Sequence, residues 1–221
     1  MIIAVTNLKG GVGKTTIATN LAVSFTKKEY DVCIVDTDLG QQSSMEWSGN
    51  RDENRARIPV FGVTIKQLNK EVEDLQQRFD IVIIDGTPQL SELADRTILA
   101  SDCLVIPLMP SIYDFRGFEN FLERFEQIRG LKEASGGSVH ALVVLNRVVP
   151  KTNVSKEIKE AVKEYDVTLL DSKLHSRVAY ADSATDGLGV VEYKDPKAKK
   201  EFMALTNELE SLLEKLQEDT E

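Results

Sequence analysis

Apolar residues along the chain fall into short unbroken runs. They are Ile2-Ile3-Ala4-Val5, Val32-Cys33-Ile34-Val35, Ile81-Val82-Ile83-Ile84, Cys103-Leu104-Val105-Ile106 and Ala141-Leu142-Val143-Val144-Leu145. A strand with one wet face alternates apolar and polar positions. Unbroken runs predict strands covered on both faces, as in a parallel sheet. Between them, helical periodicity predicts helices over 14–28, 65–78, 91–100, 111–129 and 153–165. Ser111, with Asp114 three positions on, reads as a capping box opening the fourth. Phe202, Leu205, Leu209, Leu212 and Leu216 repeat at helical spacing, which predicts a terminal helix over about 195–218 docked on the core. Alternating strands and helices define a doubly wound, mostly parallel α/β sheet flanked by helices. Its ligands are expected at the carboxyl ends of the strands. No repeat or low-complexity linker divides the chain, so one domain over 1–221 is expected.

Composition narrows the class. The 221 residues are 42% hydrophobic and 29% charged, which excludes disordered and fibrous classes. Cys33 and Cys103 sit inside apolar runs and read as buried, unpaired thiols. The two His and two Cys show no zinc-ligand spacing. No leader peptide precedes Ile2, and no apolar run approaches the roughly 18 residues of a membrane span, so a cytoplasmic protein is expected.

The chemistry gathers after the first run. Residues 7–16 read Asn7-Leu8-Lys9-Gly10-Gly11-Val12-Gly13-Lys14-Thr15-Thr16. The phosphate-loop pattern G-x-x-x-x-G-K-[ST] asks for glycine where Leu8 stands; its other parts are present. Gly10, Gly11 and Gly13 let backbone N–H groups turn towards phosphate oxygens. The loop joins a strand to a helix N-terminus, whose dipole favours anions. Lys14 can reach the β and γ phosphates, and the Thr15 hydroxyl can ligate Mg²⁺. The fold is therefore expected to be P-loop NTPase-like.

Acids stand at two further strand ends. Asp36 and Asp38 follow the second run, and Asp85 ends the third. A carboxylate closing a hydrophobic strand holds Mg²⁺ in a Walker B site. Asp also caps turns at strand ends, and either acid group alone fits that role equally well. Loop and acids together in this order point to a nucleotide site.

These residues resemble the ParA/MinD family. Lys9-Gly10-Gly11-Val12-Gly13-Lys14-Thr15 is similar to its deviant Walker A loop, marked by an early signature lysine. Asp36–Asp38 resembles its switch-like motif and Asp85 its Walker B. The stretches Ile84-Asp85-Gly86, Ser101-Asp102, Ile106-Pro107 and Pro110-Ser111 with Asp114-Phe115 are similar to small plasmid-type ParA proteins of the ParF kind. The likeness is weakest over 48–63 and after Tyr193. It implies that Lys14, Thr15 and the flanking Val12 and Thr16 bind ATP and Mg²⁺, with Asp36 and Asp85 on the metal side. Lys9 would reach a partner's nucleotide in an ATP-bound homodimer, and Asp38 would position the attacking water. Asn146 matches a position used for adenine, although Asn-Arg at a strand end is equally a turn.

Charge is unevenly placed along the chain. The net charge is −9, which argues against a uniformly basic nucleic-acid coat. Residues 147–200, however, carry eleven basic and nine acidic side chains, while 201–221 carry one and seven. The resemblance implies non-specific DNA binding by the dimer through this basic stretch, nucleoid association, and a ParB-like centromere- or cargo-binding partner. Lys156, Lys159 and Lys163 read as a solvated helix face. Lys173 and Arg177, in an expected loop over 171–179, are the DNA-contact candidates. A MinD-like membrane role would want a basic amphipathic terminus in place of the acidic one. A metabolic enzyme on the same fold is the other alternative.

Overall fold

The computed structural model describes the chain apart from residues 65, 88–91, 150–157, 159–161, 164 and 219–221, and apart from the side chains of 112–116, 217 and 218. Strands β1 (Ile2–Val5), β2 (Val32–Asp36), β3 (Val60–Gly62), β4 (Ile81–Asp85), β5 (Cys103–Leu108), β6 (His140–Val148) and β7 (Thr168–His175) form one sheet. Its order is β3-β2-β4-β1-β5-β6-β7, and every pairing is parallel. The helices are α1 (Lys14–Thr26), α2 (Ser43–Gly49), α3 (Leu68–Gln76), α4 (Glu92–Ala100), α5 (Ile112–Ala134), α6 (Val178–Thr185) and α7 (Pro196–Glu218).

The period of two in each strand divides the core. Ile3 and Val5 of β1 join Ile34, Ile83 and Val105 beneath α1, α2, α6 and α7. Ile2 and Ala4 face the other way, with Val35, Val82, Ile84 and Ile106 under α3, α4 and α5. β1, β2, β4, β5 and most of β6 are buried on both faces, which is why they read as unbroken apolar runs. Cys33 and Cys103 are both buried and unpaired, and burial pushes the Cys33 thiol up to about 12.

Three regions differ from the sequence expectation. First, β3 and β7 were not anticipated: β3 has three residues, and β7, at the edge of the sheet, has only Leu170 and Leu174 fully buried and carries polar residues at most other positions. Second, the expected loop over 171–179 does not exist. β7 continues to His175 and α6 starts at Val178, so Lys173 lies within the strand, paired with Leu145, and Arg177 is the N-cap of a helix. Third, Ser111 does precede α5, but its hydroxyl makes no capping bond, and the Asp114 side chain lies outside the described residues. Most of the helix expected over 153–165 also lies outside them.

The terminal helix docks as expected. Phe202, Leu205, Leu209 and Leu213 are buried, with Leu212 and Leu216 at the margin. Asp195 starts it: its carboxylate accepts the backbone N–H groups of Lys197 and Ala198 at 2.9 and 3.1 Å. Acids of α7 also cover the open edge of β7. Glu208 accepts N–H bonds from Asp171 and Ser172 at 2.7 and 2.9 Å, and Glu201 accepts one from His175 at 3.2 Å. An edge strand left unpaired would offer those donors to another chain.

A buried ion pair joins α2 to the segment before α7. Arg51 grips Glu192 through two 2.9 Å bonds and donates to Gly187 O at 2.8 Å. Both side chains are 5% exposed. Gly187 has φ +64°, and a Cβ there would lie 2.4 Å from the Arg51 backbone N, so only glycine fits.

Candidate functional site

The sheet order places β1 between β4 and β5, with the chain winding away from it in both directions. The carboxyl ends of its strands therefore open into a crevice. A cavity of about 250 Å³ occupies it. Gly10, Gly11, Gly13, Lys14, Thr15 and Thr16 form one wall, and Asp36, Asp38 and Asp85 form another. The sequence-predicted loop and acids are thus brought together. Lys173 and Arg177 do not line this cavity, and neither does Asn146.

The loop is shaped by its glycines and by two ties. Gly13 stands at φ +95° as the N-cap of α1, and Gly11 at φ +74°. The Asn146 side-chain amide donates to Val12 O at 2.7 Å, and a Cβ on Gly13 would stand 2.4 Å from its Nδ2. Asn146 therefore props the loop from below. The second tie is Lys14, whose Nζ donates to Lys9 O at 2.9 Å. Lys14 is 8% exposed, and burial pulls its ammonium below the usual lysine range, opposed by Asp85 and Asp38. Leu8, at the position of the missing first glycine, packs against the apolar layer under α5.

The acidic wall is organised by α2. Asp36 is 1% exposed and accepts N–H bonds from Asp38 at 3.0 Å, Ser44 at 3.1 Å and Met45 at 3.4 Å. Burial nevertheless raises its carboxyl above the ordinary range, and those N–H groups oppose the shift. Asp85 pairs in register with Asp36 across β2 and β4. Its Oδ2 accepts the Ser44 hydroxyl at 2.7 Å. Burial lifts Asp85 to about 6, while the Ser44 and Thr15 hydroxyls pull it down. Asp38 Oδ1 accepts the Gln41 N–H at 3.2 Å at the turn into α2. Ser44 escaped the sequence reading because α2 is built from poor helix formers, and nothing in its run marks it as lining a site.

Asp85 Oδ1 is buried and has no well-formed hydrogen bond, a costly position for an acceptor unless something else occupies it. Mg²⁺ fits that need. It keeps several waters and takes one or two carboxylates together with substrate phosphates. Asp85, Asp36 and the Thr15 hydroxyl would supply the protein side of such a site.

At the other end of the cavity stands Arg147, next to Asn146. It has φ +53°, uncommon for a residue with a side chain, and its N–H donates to Asn146 Oδ1 at 2.9 Å. Arg177 is engaged elsewhere: it pairs with Glu201 at 3.0 Å, a carboxylate also held by Tyr180 at 2.9 Å.

A strand-to-helix glycine loop facing strand-end acids defines the class, and comparison agrees. Residues 3–190 match the CobQ/CobB/MinD/ParA nucleotide binding domain, and the chain belongs to that family of ParA/MinD-type ATPases. It is 26% identical over 211 residues to the maintenance of carboxysome distribution protein A of Halothiobacillus neapolitanus, covering 94% of this chain and 95% of that protein. Among solved structures, apo McdA from Cyanthece superposes with a TM-score of 0.76 at 20% identity, covering 94% of this chain and 98% of that one. The cell division ATPase MinD of Pyrococcus furiosus superposes at 0.74 with 23% identity, covering 96% and 98%.

Proposed function

We propose that the chain is a Mg²⁺-dependent ATP hydrolase that partitions DNA or another cargo. The observation that carries this reading is the single cavity bounded by the glycine loop, Lys14 and the α1 N-terminus on one side and by Asp36, Asp38 and Asp85 on the other. Phosphoryl transfer needs that arrangement: a positively polarised cradle for the phosphates, a metal holder, and a carboxylate to orient water. Lys14, Thr15, Thr16 and the loop N–H groups hold the phosphates. When bound, Mg²⁺ neutralises charge on the transferring group. Asp38 orients the attacking water.

ATP acts as a ligand that selects a homodimer, and hydrolysis reverses the choice. In this dimer Lys9 reaches the partner's nucleotide. The dimer binds DNA without sequence preference, associates with the nucleoid, and is stimulated by a ParB-like centromere- or cargo-bound protein. The carboxysome-distribution relative supports the cargo-positioning half of this reading. No helix among the described residues is long and apolar enough to cross a membrane. Glu201 and Glu208 of α7 are engaged by β7, and this reading includes no membrane partner. Residues 1–221 act as one nucleotide-binding unit closed by α7.

Hydrolysis, size-exclusion light scattering and DNA retention, each with ATP, ADP and no nucleotide, test the reading. A chain that hydrolyses ATP but neither dimerises nor retains DNA is not a partition ATPase. Asp38→Ala is expected to bind ATP while turnover falls by about 100-fold, leaving a persistent dimer. Wild-type turnover in that variant would remove Asp38 from the reaction. For DNA, Lys173→Ala should lower the slope of log affinity against log salt by about 1, the signature of one lost phosphate contact. Arg177→Ala should change it less, since Glu201 already balances that charge. The reverse ranking would place the contact at Arg177.

A further inference from the structure

The main chain of Asp85 is fixed from several sides. β4 pairs there with both β1 and β2. Its carbonyl oxygen accepts the Thr37 N–H at 3.2 Å and the Thr37 hydroxyl at 2.7 Å. The strand does not set the rotation of the carboxyl group, a broad and soft torsion, and that rotation decides which oxygen is offered to a ligand. The Ser44 hydroxyl sets it, by donating to Oδ2 at 2.7 Å. Oδ1 is then the oxygen left without a well-formed hydrogen bond.

Ser44 is held in turn by the other buried acid. The N-cap of α2 is Gln42, which stands at φ +51° and makes no capping bond with its side chain. The first turn of a helix leaves its N–H groups without partners. Here those of Ser44 and Met45 go to Asp36 Oδ2, so a carboxylate of β2 does the work of the missing cap. Ser44 therefore binds both acids at once, Asp36 through its N–H and Asp85 through its hydroxyl. It is fully buried, so water does not compete for either bond.

We propose that Ser44 is a positioning residue for Mg²⁺: its hydroxyl holds Asp85 Oδ2 so that Oδ1 is the oxygen offered to the metal of the bound nucleotide. The proposal rests on the Mg²⁺–ATP reading above and adds to it a residue that acts through Asp85. Groups hydrogen-bonded behind a metal-side carboxylate fix its orientation, and losing one commonly weakens metal binding by about 10–100-fold.

Calorimetric titration of ATP in Mg²⁺ and again in EDTA tests it. The ratio of the two affinities is the gain that the metal supplies. Ser44→Ala should cut that gain by about tenfold and leave the affinity in EDTA at the wild-type value. Ser44→Thr, which keeps a hydroxyl donor, should recover most of the gain. Thr206→Val is the control: it removes a fully buried hydroxyl of α7, bonded to Phe202 O at 3.0 Å, and should leave the gain unchanged whatever it does to the melting temperature. A wild-type gain in Ser44→Ala would overturn the proposal, as would an equal loss of affinity with and without metal. So would a gain reduced as much in Ser44→Thr or in Thr206→Val as in Ser44→Ala, since packing would then be the cause. Failure of the nucleotide reading itself looks different: the wild-type chain would bind ATP in neither condition, or would show no gain from Mg²⁺.

Discussion

Lys14→Ala is expected to lose ATP affinity by at least about 100-fold in calorimetry with Mg²⁺, while its thermal unfolding stays close to wild type. Two effects add on the binding side. The variant loses charge-assisted hydrogen bonds to phosphate, each worth about 1.5–3 kcal/mol. It also loses the tie from Nζ to Lys9 O that spans the loop. Stability is spared because burial already disfavours the Lys14 ammonium, so removing the cation relieves a cost as well as deleting a bond. ATP affinity within about threefold of wild type would show that the loop is not a phosphate site.

Asp85→Asn is expected to abolish Mg²⁺ binding and yet stabilise the fold. Asp85 titrates at about 6 in the folded chain, against an ordinary value of 3.8. At pH values between these the folded chain holds a proton that the unfolded chain has released. The protonated carboxyl therefore contributes stability that is complete below about pH 3.8 and lost as pH rises through 6. Above that, the buried carboxylate is a constant cost on the order of 3 kcal/mol. Asparagine has no such titration. Its advantage in melting temperature should open between about pH 4 and 6 and stay flat above, reaching roughly 5–10 °C. Added Mg²⁺ should narrow the gap by stabilising only the wild type. A variant that melts below wild type at pH 7.5 without metal would mean that the ionised form is better solvated than its burial implies.

These contrasts explain what could be read from the chain. β1, β2, β4, β5 and β6 were legible because both their faces are covered, so each carries an unbroken apolar run. β7 was not, because only Leu170 and Leu174 are fully buried and the run Asp171-Ser172-Lys173 suggested a loop. The phosphate loop and its acids were legible because strand-end chemistry is local: Gly13, Lys14, Asp36 and Asp85 each sit beside the run that carries them. Ser44 and Arg147 were not. Ser44 reaches Asp85 from 41 positions away along the chain, through a helix with weak propensity. Arg147 is distinguished from any solvated arginine only by its backbone angle and by the amide beneath it. Asn146 was noticed at its strand end, but its tie to Val12 O, 134 positions away along the chain, was not legible.

The Arg51–Glu192 pair gives α2 a fixed far end. At its near end, the helix touches both site acids through Ser44. Seven residues of α-helix span about 10 Å. Between its two ends α2 is braced again, by Trp47 Nε1 donating to Leu188 O and Ser48 Oγ donating to Ile58 O, each at 3.3 Å. The position of Ser44 against the site acids is therefore set by the whole helix and by the segment leading into α7.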